Sequence, residues 1–230
     1  MKHSFSAPQI KIDRARRHIS ELEQAVTDYV ASAPLKVFPK AVVVDGKPDI
    51  QITMEMTPPP EHLGAILGDI LHNLRVVLDL AACDMVRSIG GDPKGVYFPF
   101  SDTADRLDER IRSQNFHRAG DDAIALLKTL QPYHHGNTKL RALHDLDIED
   151  KHRNLLPQPF FAQGPIINTY DETGTINPTV ELNSEVIIFL FPAIFDGKMR
   201  SLFPVLKDLV QLVDGIVEAF RALANRDDAI

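Results

Sequence analysis

Two groups of ionisable side chains recur at helical spacing in this sequence. The first is His72, Arg75 and Asp79, which interrupt a long apolar segment at intervals of three and four residues. That spacing places them along one edge of an α-helix. An imidazole can transfer protons near neutral pH, and a guanidinium binds phosphate or carboxylate groups. This combination suits acid–base chemistry or the stabilisation of phosphate charge.

The second group is His144, Asp147 and Lys151, which share a predicted helix face with Leu140 and Leu143. Ionisable groups on an inward face need partners, because burying an unpaired charge costs free energy. We therefore predict that the two helices pack together and that their six ionisable residues meet. Such a cluster is either a functional site or a buried network that fixes the register of the helices, and the sequence leaves both interpretations open.

The helix that carries the first group is predicted to be the central element, from about residue 60 to residue 89. The run Pro58-Pro59-Pro60 precedes it, and Gly90-Gly91 ends it. Its predicted core face is a set of apolar residues at helical spacing. These residues are Leu67, Ile70, Leu71, Leu74, Leu78 and Ala81.

The remaining segments predict further helices and a few strands. A first helix is expected over residues 8–30, and Asp45-Gly46 favours a tight turn within a hairpin at residues 36–56. Short helices are expected near residues 103–113 and 121–130, a longer one after Asn137, and a last one after Ser201. Runs rich in β-branched residues at 160–191 predict strands that join the hairpin in one small antiparallel sheet. We therefore predict one domain over residues 1–230, of the α+β class and mainly α, with a helical bundle around the central helix.

Composition narrows the function classes. The chain has 230 residues, 44% of them hydrophobic, but no apolar run long enough to cross a membrane and no apolar leader at its start, so we expect a cytoplasmic protein without a membrane partner. The net charge of −7 disfavours DNA as a partner. With Cys83 as the single cysteine, no disulfide can form within one chain. Phosphate-loop, nucleophile-elbow and HExxH motifs are absent, so we predict no cofactor and no metal.

Four short motifs carry a resemblance to known proteins. They are HNLRVVLD at 72–79, FPF at 98–100, LQPY at 130–133 and DKHRNLLP at 150–157. Their order resembles a family of uncharacterised bacterial and phage-associated proteins, which implies a similar fold over residues 60–160 and no particular activity. A more distant resemblance is to HEPN-type helical proteins, many of which are metal-independent ribonucleases. Arg153-Asn154 matches the start of the HEPN motif, whereas the histidine that ends it has no counterpart here.

Three functions are compatible with these observations. The first is a non-catalytic interaction or regulatory module, in which the apolar C-terminal helix could form a homodimer. The second is a HEPN-like metal-independent ribonuclease or RNA-binding protein, in which a histidine moves protons while Arg75 and Lys151 hold phosphate. The third is a divalent-metal site formed by His72, Asp79, His144 and Asp147, with or without Asp150, which the positive charges of Arg75 and Lys151 disfavour. We predict the interaction module, with the ribonuclease as the alternative.

Overall fold

The computed structural model describes residues 5–152, 157–161, 166–170, 176–180, 187–191 and 200–226. Helices dominate these residues, and the predicted class, α+β and mainly α, is confirmed. The α-helices are α1 (Ser6–Ala31), α2 (His62–Ser88), α3 (Leu107–Ser113), α4 (Asp121–Leu130), α5 (Thr138–His152) and α6 (Leu202–Ala224). Short 3₁₀ turns at Ala104–Arg106 and Phe116–Ala119 flank α3.

Strands β1 (Leu35–Val44) and β2 (Lys47–Met56) form the predicted hairpin. They pair antiparallel, with Val44 opposite Lys47 at the turn. Both turn residues have positive φ, 51° at Asp45 and 73° at Gly46. A two-residue turn with positive φ at both positions matches the twist of the flanking strands, which is why the Asp-Gly pair predicts it.

The later strands do not join the hairpin in one sheet, which corrects the prediction. They are β3 (Gln158–Phe161), β4 (Ile166–Tyr170), β5 (Ile176–Val180), β6 (Ile187–Phe191) and β7 (Arg200–Ser201). Within the described ranges the strands form three separate ladders, β1-β2, β3-β6-β7 and β4-β5. β1 lies against β5 without pairing with it. Strand propensity is local, whereas the choice of partner depends on long-range packing.

Helix α2 lies at the centre of the fold and packs against α1, α5 and α6. Its bounds agree with the predicted 60–89, and all six predicted core residues are fully buried. Helix α6 buries its predicted apolar face in the same core, through Leu206, Leu209, Val213 and Phe220 among others. None of the helices in the described ranges is long and apolar enough to cross a membrane.

Some predictions fall outside the described residues. The predicted helix after Asn137 is described as far as His152, so Arg153-Asn154, the HEPN-like dipeptide, lies beyond it. The predicted strand region 160–191 is described only in part, because residues 162–165, 171–175 and 181–186 are not included.

Candidate functional site

The two predicted polar groups meet where α2 packs against α5. His72 contacts Asp147 and Arg75 contacts His144, so residue numbers rise along α2 as they fall along α5, and the helices are antiparallel. The step of three residues from His72 to Arg75 along α2 matches the step of three from Asp147 back to His144 along α5. The edges that helical spacing predicted are therefore the edges that meet.

The side chain of Asp150 on α5 packs directly against Gly68, one turn before His72 on α2. A Cβ atom at this buried glycine would lie 2.2 Å from Oδ2 of Asp150, far inside van der Waals contact. The carboxylate of Asp150 thus occupies the space that any larger residue would need. Gly68 lies on the polar edge of α2, and because it has no side chain it leaves room for Asp150 of α5.

Asp147 lies at one end of the interface, between His72 and Lys151. Its Oδ1 is 3.0 Å from Nδ1 of His72, and its Oδ2 accepts a 2.6 Å hydrogen bond from Nζ of Lys151. Burial alone would raise the pKa of Asp147, but the hydrogen bonds from Lys151 and His72 outweigh it and hold the pKa below its usual value. The side chain of Asp147 is 6% exposed, whereas that of His72 is 51% exposed. The result is a solvent-facing imidazole oriented by a buried carboxylate.

Arg75 and His144 form the other, less exposed part of the interface. Nε of Arg75 donates to Nδ1 of His144 at 3.2 Å, so the imidazole accepts at Nδ1 and its neutral form carries the proton on Nε2. The pKa of His144 falls to about 4, first because burial disfavours the charged ring and then because Arg75 and Arg141 are positively charged neighbours. His144 is therefore neutral at pH 7.

Phe100 packs against both partners of this hydrogen bond. Its ring stacks on the imidazole of His144 with centroids 4.3 Å apart and an angle of 5° between the planes. The guanidinium carbon of Arg75 lies 4.8 Å from the centroid of the same ring, within the range of a cation–π contact. The motif FPF that precedes α3 is thus part of the support for the α2–α5 interface.

The side chain of Asp79 contacts the loop that carries the FPF motif. It contributes to the cluster only through Arg75. Its Oδ1 accepts the backbone N–H of Phe98 at 2.9 Å and lies 2.8 Å from Nη1 of Arg75. That second contact is an ion pair by distance but lacks hydrogen-bond geometry, and Nη1 is a buried nitrogen without a hydrogen-bond partner in the described part of the chain. Asp79 therefore anchors the loop, which its position on the helix edge alone did not indicate.

A cleft of about 300 Å³ opens beside the Arg75–His144 contact, between α2, α3, α5 and the loop at residues 97–102. The rings of Tyr97, Phe98 and Phe100 line it, together with a set of polar side chains. The polar set is Arg75, Asp102, Arg110, Gln114, Arg141 and His144. His72, Asp79, Asp147 and Lys151 do not line this cleft, so the predicted cluster and the cleft share only Arg75 and His144.

Arg141 is the lining residue whose position is most firmly held. Its Nε lies 3.0 and 3.1 Å from the two carboxylate oxygens of Asp145, and its Nη1 donates to the backbone carbonyl of Ser101 at 2.8 Å. Asp102 is 3.5 Å from the same Nη1. Arg141 precedes His144 by three residues, so helical spacing could have placed it on the same edge, and our prediction missed it.

Arg110 and Gln114 enter the cleft from α3 and its C-terminal end, and we did not predict them. Within the described residues neither side chain has a hydrogen bond or ion pair, whereas Asp102 pairs with Arg106 and Arg141. The sequence predicted only a short charged helix here, because alternating charges on a short helix are typical of a solvated surface. Their location beside the cleft depends on the fold.

Hydrogen-bond donors dominate the cleft. Three arginines, a glutamine amide and the Nε2–H of neutral His144 face one carboxylate, that of Asp102. The lining side chains carry a formal charge of +2, which Asp79 and Asp145 offset from behind because they pair with Arg75 and Arg141 and leave Arg110 unpaired among the described residues. The positive charges of Arg75 and Arg141 also lower the pKa of His144 more than Asp145 and Asp147 raise it, which indicates a positive potential at the ring. Such a cleft suits a ligand group that accepts hydrogen bonds and carries negative charge.

The cluster is not arranged as a metal site. In the parts of the chain that the structure describes, no three His, Cys, Asp or Glu side chains are close enough to hold one ion. Asp79 and His144 instead contact Arg75, and Asp147 contacts Lys151. Asp79, His144 and Asp147 therefore each lie beside a cation, which disfavours a second, metal cation at these atoms.

Comparison with protein-family models, curated proteins and solved structures found no match to this chain. Function is therefore inferred from the geometry of the described residues.

Proposed function

We propose that the protein is a non-catalytic binding module that holds an anionic group of its ligand in the cleft between α2, α3 and α5. The observation that carries this proposal is the guanidinium of Arg110, which lines the cleft without an ion-pair partner among the described residues. A guanidinium presents five N–H donors in a planar fork that matches phosphate or carboxylate oxygens. An anion would accept hydrogen bonds from the N–H groups of Arg110 that have no partner among the described residues.

The chemistry of His144 supports binding in preference to catalysis. With its pKa near 4, the ring is unprotonated at pH 7 and cannot act as a general acid, and it is also a weak base. Its Nδ1 is already occupied by Arg75, so only the Nε2–H is available to a ligand. His144 therefore acts as a neutral hydrogen-bond donor in the cleft.

The fold also holds in place the loop that lines one side of the cleft. The backbone N–H of Tyr97 donates to the carbonyl of Gln114 at 3.0 Å, and that of Ser101 donates to the carbonyl of Pro132 at 3.1 Å. Together with the hydrogen bond from Phe98 to Asp79, these contacts fix both ends of the aromatic loop, which is the loop at residues 97–102. A preorganised cleft loses little conformational entropy on binding.

The test is titration of the full chain with pyrophosphate, followed by calorimetry at two ionic strengths. We expect saturable binding that Arg110→Gln weakens at least about tenfold, equivalent to about 1.4 kcal/mol. Arg112→Gln is the matched control, because Arg112 is also exposed on α3 but does not line the cleft. Equal small effects of the two substitutions, or no saturable binding, would contradict the proposal.

RNA processing is the second candidate, and the orientation of His72 by Asp147 favours it. An exposed imidazole held by a buried carboxylate, beside the ammonium of Lys151, has the groups needed to take up a proton near a phosphate. Incubation with single-stranded RNA, with and without EDTA, tests it. Cleavage that survives EDTA and is lost in His72→Ala but not in the exposed His117→Ala would support this candidate, and absence of cleavage would remove it.

A homodimer through α6 and a cytoplasmic location are further proposals that follow from composition and pattern. The exposed large hydrophobic side chains of the described residues do not include any on α6. A dimer through this helix would therefore use side chains that are already partly buried, such as Phe203 and Leu212. Light scattering at two protein concentrations, with Leu212→Glu as the variant, tests this interface.

A further inference from the structure

We infer that the anionic group bound in the cleft is the phosphate of a monoester whose organic part carries a flat aromatic ring, and that this ring stacks on Tyr97. The inference rests on the proposed binding function and specifies its ligand. Three properties of the cleft support it: its size, the exposure of Tyr97, and its open hydrogen-bond donors.

The cleft is larger than a phosphate group needs. Its volume is about 300 Å³, whereas a water molecule takes up about 30 Å³ in the liquid, so the cleft has room for about ten waters. Pockets for small organic ligands begin at about this size. A bare phosphate would leave most of the cleft filled with water, so the cleft has room for an organic group attached to the phosphate.

Tyr97 provides an aromatic surface at the edge of the cleft. It is 52% exposed, whereas its neighbours Val96 and Phe98 are 3% and 1% exposed. Its backbone is fixed by the hydrogen bond to the carbonyl of Gln114. An exposed tyrosine ring beside guanidinium groups can stack on a flat ring of the ligand while the arginines bind its charged end.

The open donors of the lining favour phosphate over carboxylate. Asp79 and Asp145 already pair with Arg75 and Arg141, so Arg110 is the lining guanidinium that has no ion-pair partner among the described residues. A carboxylate offers two oxygens. A phosphate offers three acceptor oxygens, which suits the open donors of Arg110 and Gln114 together with the Nε2–H of His144.

The inference is tested by measuring the affinity of the full chain for four probes: inorganic phosphate, phenyl phosphate, AMP and benzoate. We expect phenyl phosphate or AMP to bind at least about fivefold tighter than inorganic phosphate, and benzoate to bind more weakly than phenyl phosphate. Tyr97→Ala should reduce the ratio of the affinity for the ring ester to that for inorganic phosphate to about one. Tyr97→Phe should keep this ratio at the value of the parent chain. Phe38→Ala, which removes an exposed aromatic ring from β1, is the control and should change nothing.

The comparison of the two ring compounds identifies the source of the ester. Tighter binding of AMP indicates a nucleotide, and tighter binding of phenyl phosphate indicates an ester of a phenol; either result supports the inference. Three results would overturn it: equal affinity for inorganic phosphate and both ring esters, benzoate binding as tightly as phenyl phosphate, or a preference for the ring that survives Tyr97→Ala.

The two proposals fail in different ways. If inorganic phosphate binds and Arg110→Gln weakens it, but the ring adds nothing, the cleft is an anion site and only the aromatic ester is wrong. If none of the four probes and no pyrophosphate binds, both the aromatic ester and the proposed function are wrong.

Discussion

Nε of Arg75 donates a hydrogen bond to Nδ1 of His144 across the α2–α5 interface, with 3.2 Å between the nitrogens. This contact joins the two polar groups of the sequence, and it is also where they reach the cleft. It fixes the tautomer of His144 and contributes to its lowered pKa. Four predictions follow from this interface and its neighbours, each independent of the ligand.

The first prediction concerns the stability of the protein in acid. Because the pKa of His144 is about 4 in the folded chain and 6.5 as a free side chain, the unfolded chain binds a proton here at higher pH than the folded chain does. The free energy of unfolding should therefore fall as the pH decreases from about 6.5 to about 4. We expect His144 to account for about 2 kcal/mol of this loss, after allowing for solvent screening of a half-buried ring.

Urea unfolding at several pH values measures this effect. His144→Gln should unfold at lower urea at pH 7, since it loses the stacking on Phe100, but its stability should depend less on pH between 6.5 and 4. His117→Gln, at an exposed position, should keep the dependence of the parent chain. A parent chain whose His144 titrates near 6.5 by NMR would disprove the assignment.

The second prediction concerns the buried carboxylate of Asp147. Asp147→Asn removes the charge between Lys151 and His72, and we expect it to lower the free energy of unfolding by about 1–3 kcal/mol at pH 7. Asp208→Asn is the control, because Asp208 forms an ion pair with Lys139 in which both side chains are about half exposed. That change should cost less than about 1 kcal/mol.

The dependence on pH gives a second measurement for Asp147. Its pKa is lowered in the folded chain, so its contribution is present above the ordinary value near 3.8 and is lost as the pH falls through the lowered pKa. Below that range the parent chain and Asp147→Asn should have similar stability. A constant difference between them at all pH values would show that the charge is not the cause.

The third prediction concerns Gly68, against which Asp150 of α5 packs. Alanine is a better helix former than glycine, and Gly215→Ala in α6 should therefore be neutral or stabilise the chain by up to about 1 kcal/mol, since no atom lies within 4 Å of the added Cβ. Gly68→Ala should instead destabilise it by about 1 kcal/mol or more, because the carboxylate of Asp150 has to leave its position. Thermal unfolding should show a lower Tm for Gly68→Ala and an unchanged or higher Tm for Gly215→Ala.

The fourth prediction concerns the anchor of the aromatic loop. Asp79→Ala removes the acceptor for the N–H of Phe98, so amide hydrogen exchange at Phe98 should be at least about tenfold faster. Asp79→Asn keeps an acceptor oxygen and should restore most of the protection. Exchange at Ser101, whose N–H is bonded to Pro132, serves as the internal reference. Unchanged protection of Phe98 in Asp79→Ala would contradict the proposed role of this carboxylate.

Helices were predictable here because their signals are local. The apolar residues of α2 and α6 repeat with the period of a helix, and the predicted core residues of α2 are all buried. The Asp45-Gly46 turn was predictable for the same reason, because two adjacent residues determine its geometry. The pairing of the later strands was not, because it depends on contacts between segments far apart in the chain.

The candidate site was predicted in part. Spacing placed His72 and Arg75 on one edge and His144 and Asp147 on another, and the structure shows these edges in contact. Spacing did not indicate that Asp79 would turn to the loop, nor that the partly exposed His72 would lie outside the cleft. Both outcomes depend on where the loop before α3 crosses the end of the interface.

The sequence by itself determined which residues share a helix edge, because side-chain direction along a helix follows from residue spacing alone. Only the tertiary structure decided the protonation state of those residues and which of them line the cleft. The neutral form of His144 depends on burial and on Arg75 and Arg141, and the cleft depends on Arg110 and Tyr97 coming from other elements. Burial and electrostatic potential are sums over neighbours in space, which residue spacing along one helix does not contain.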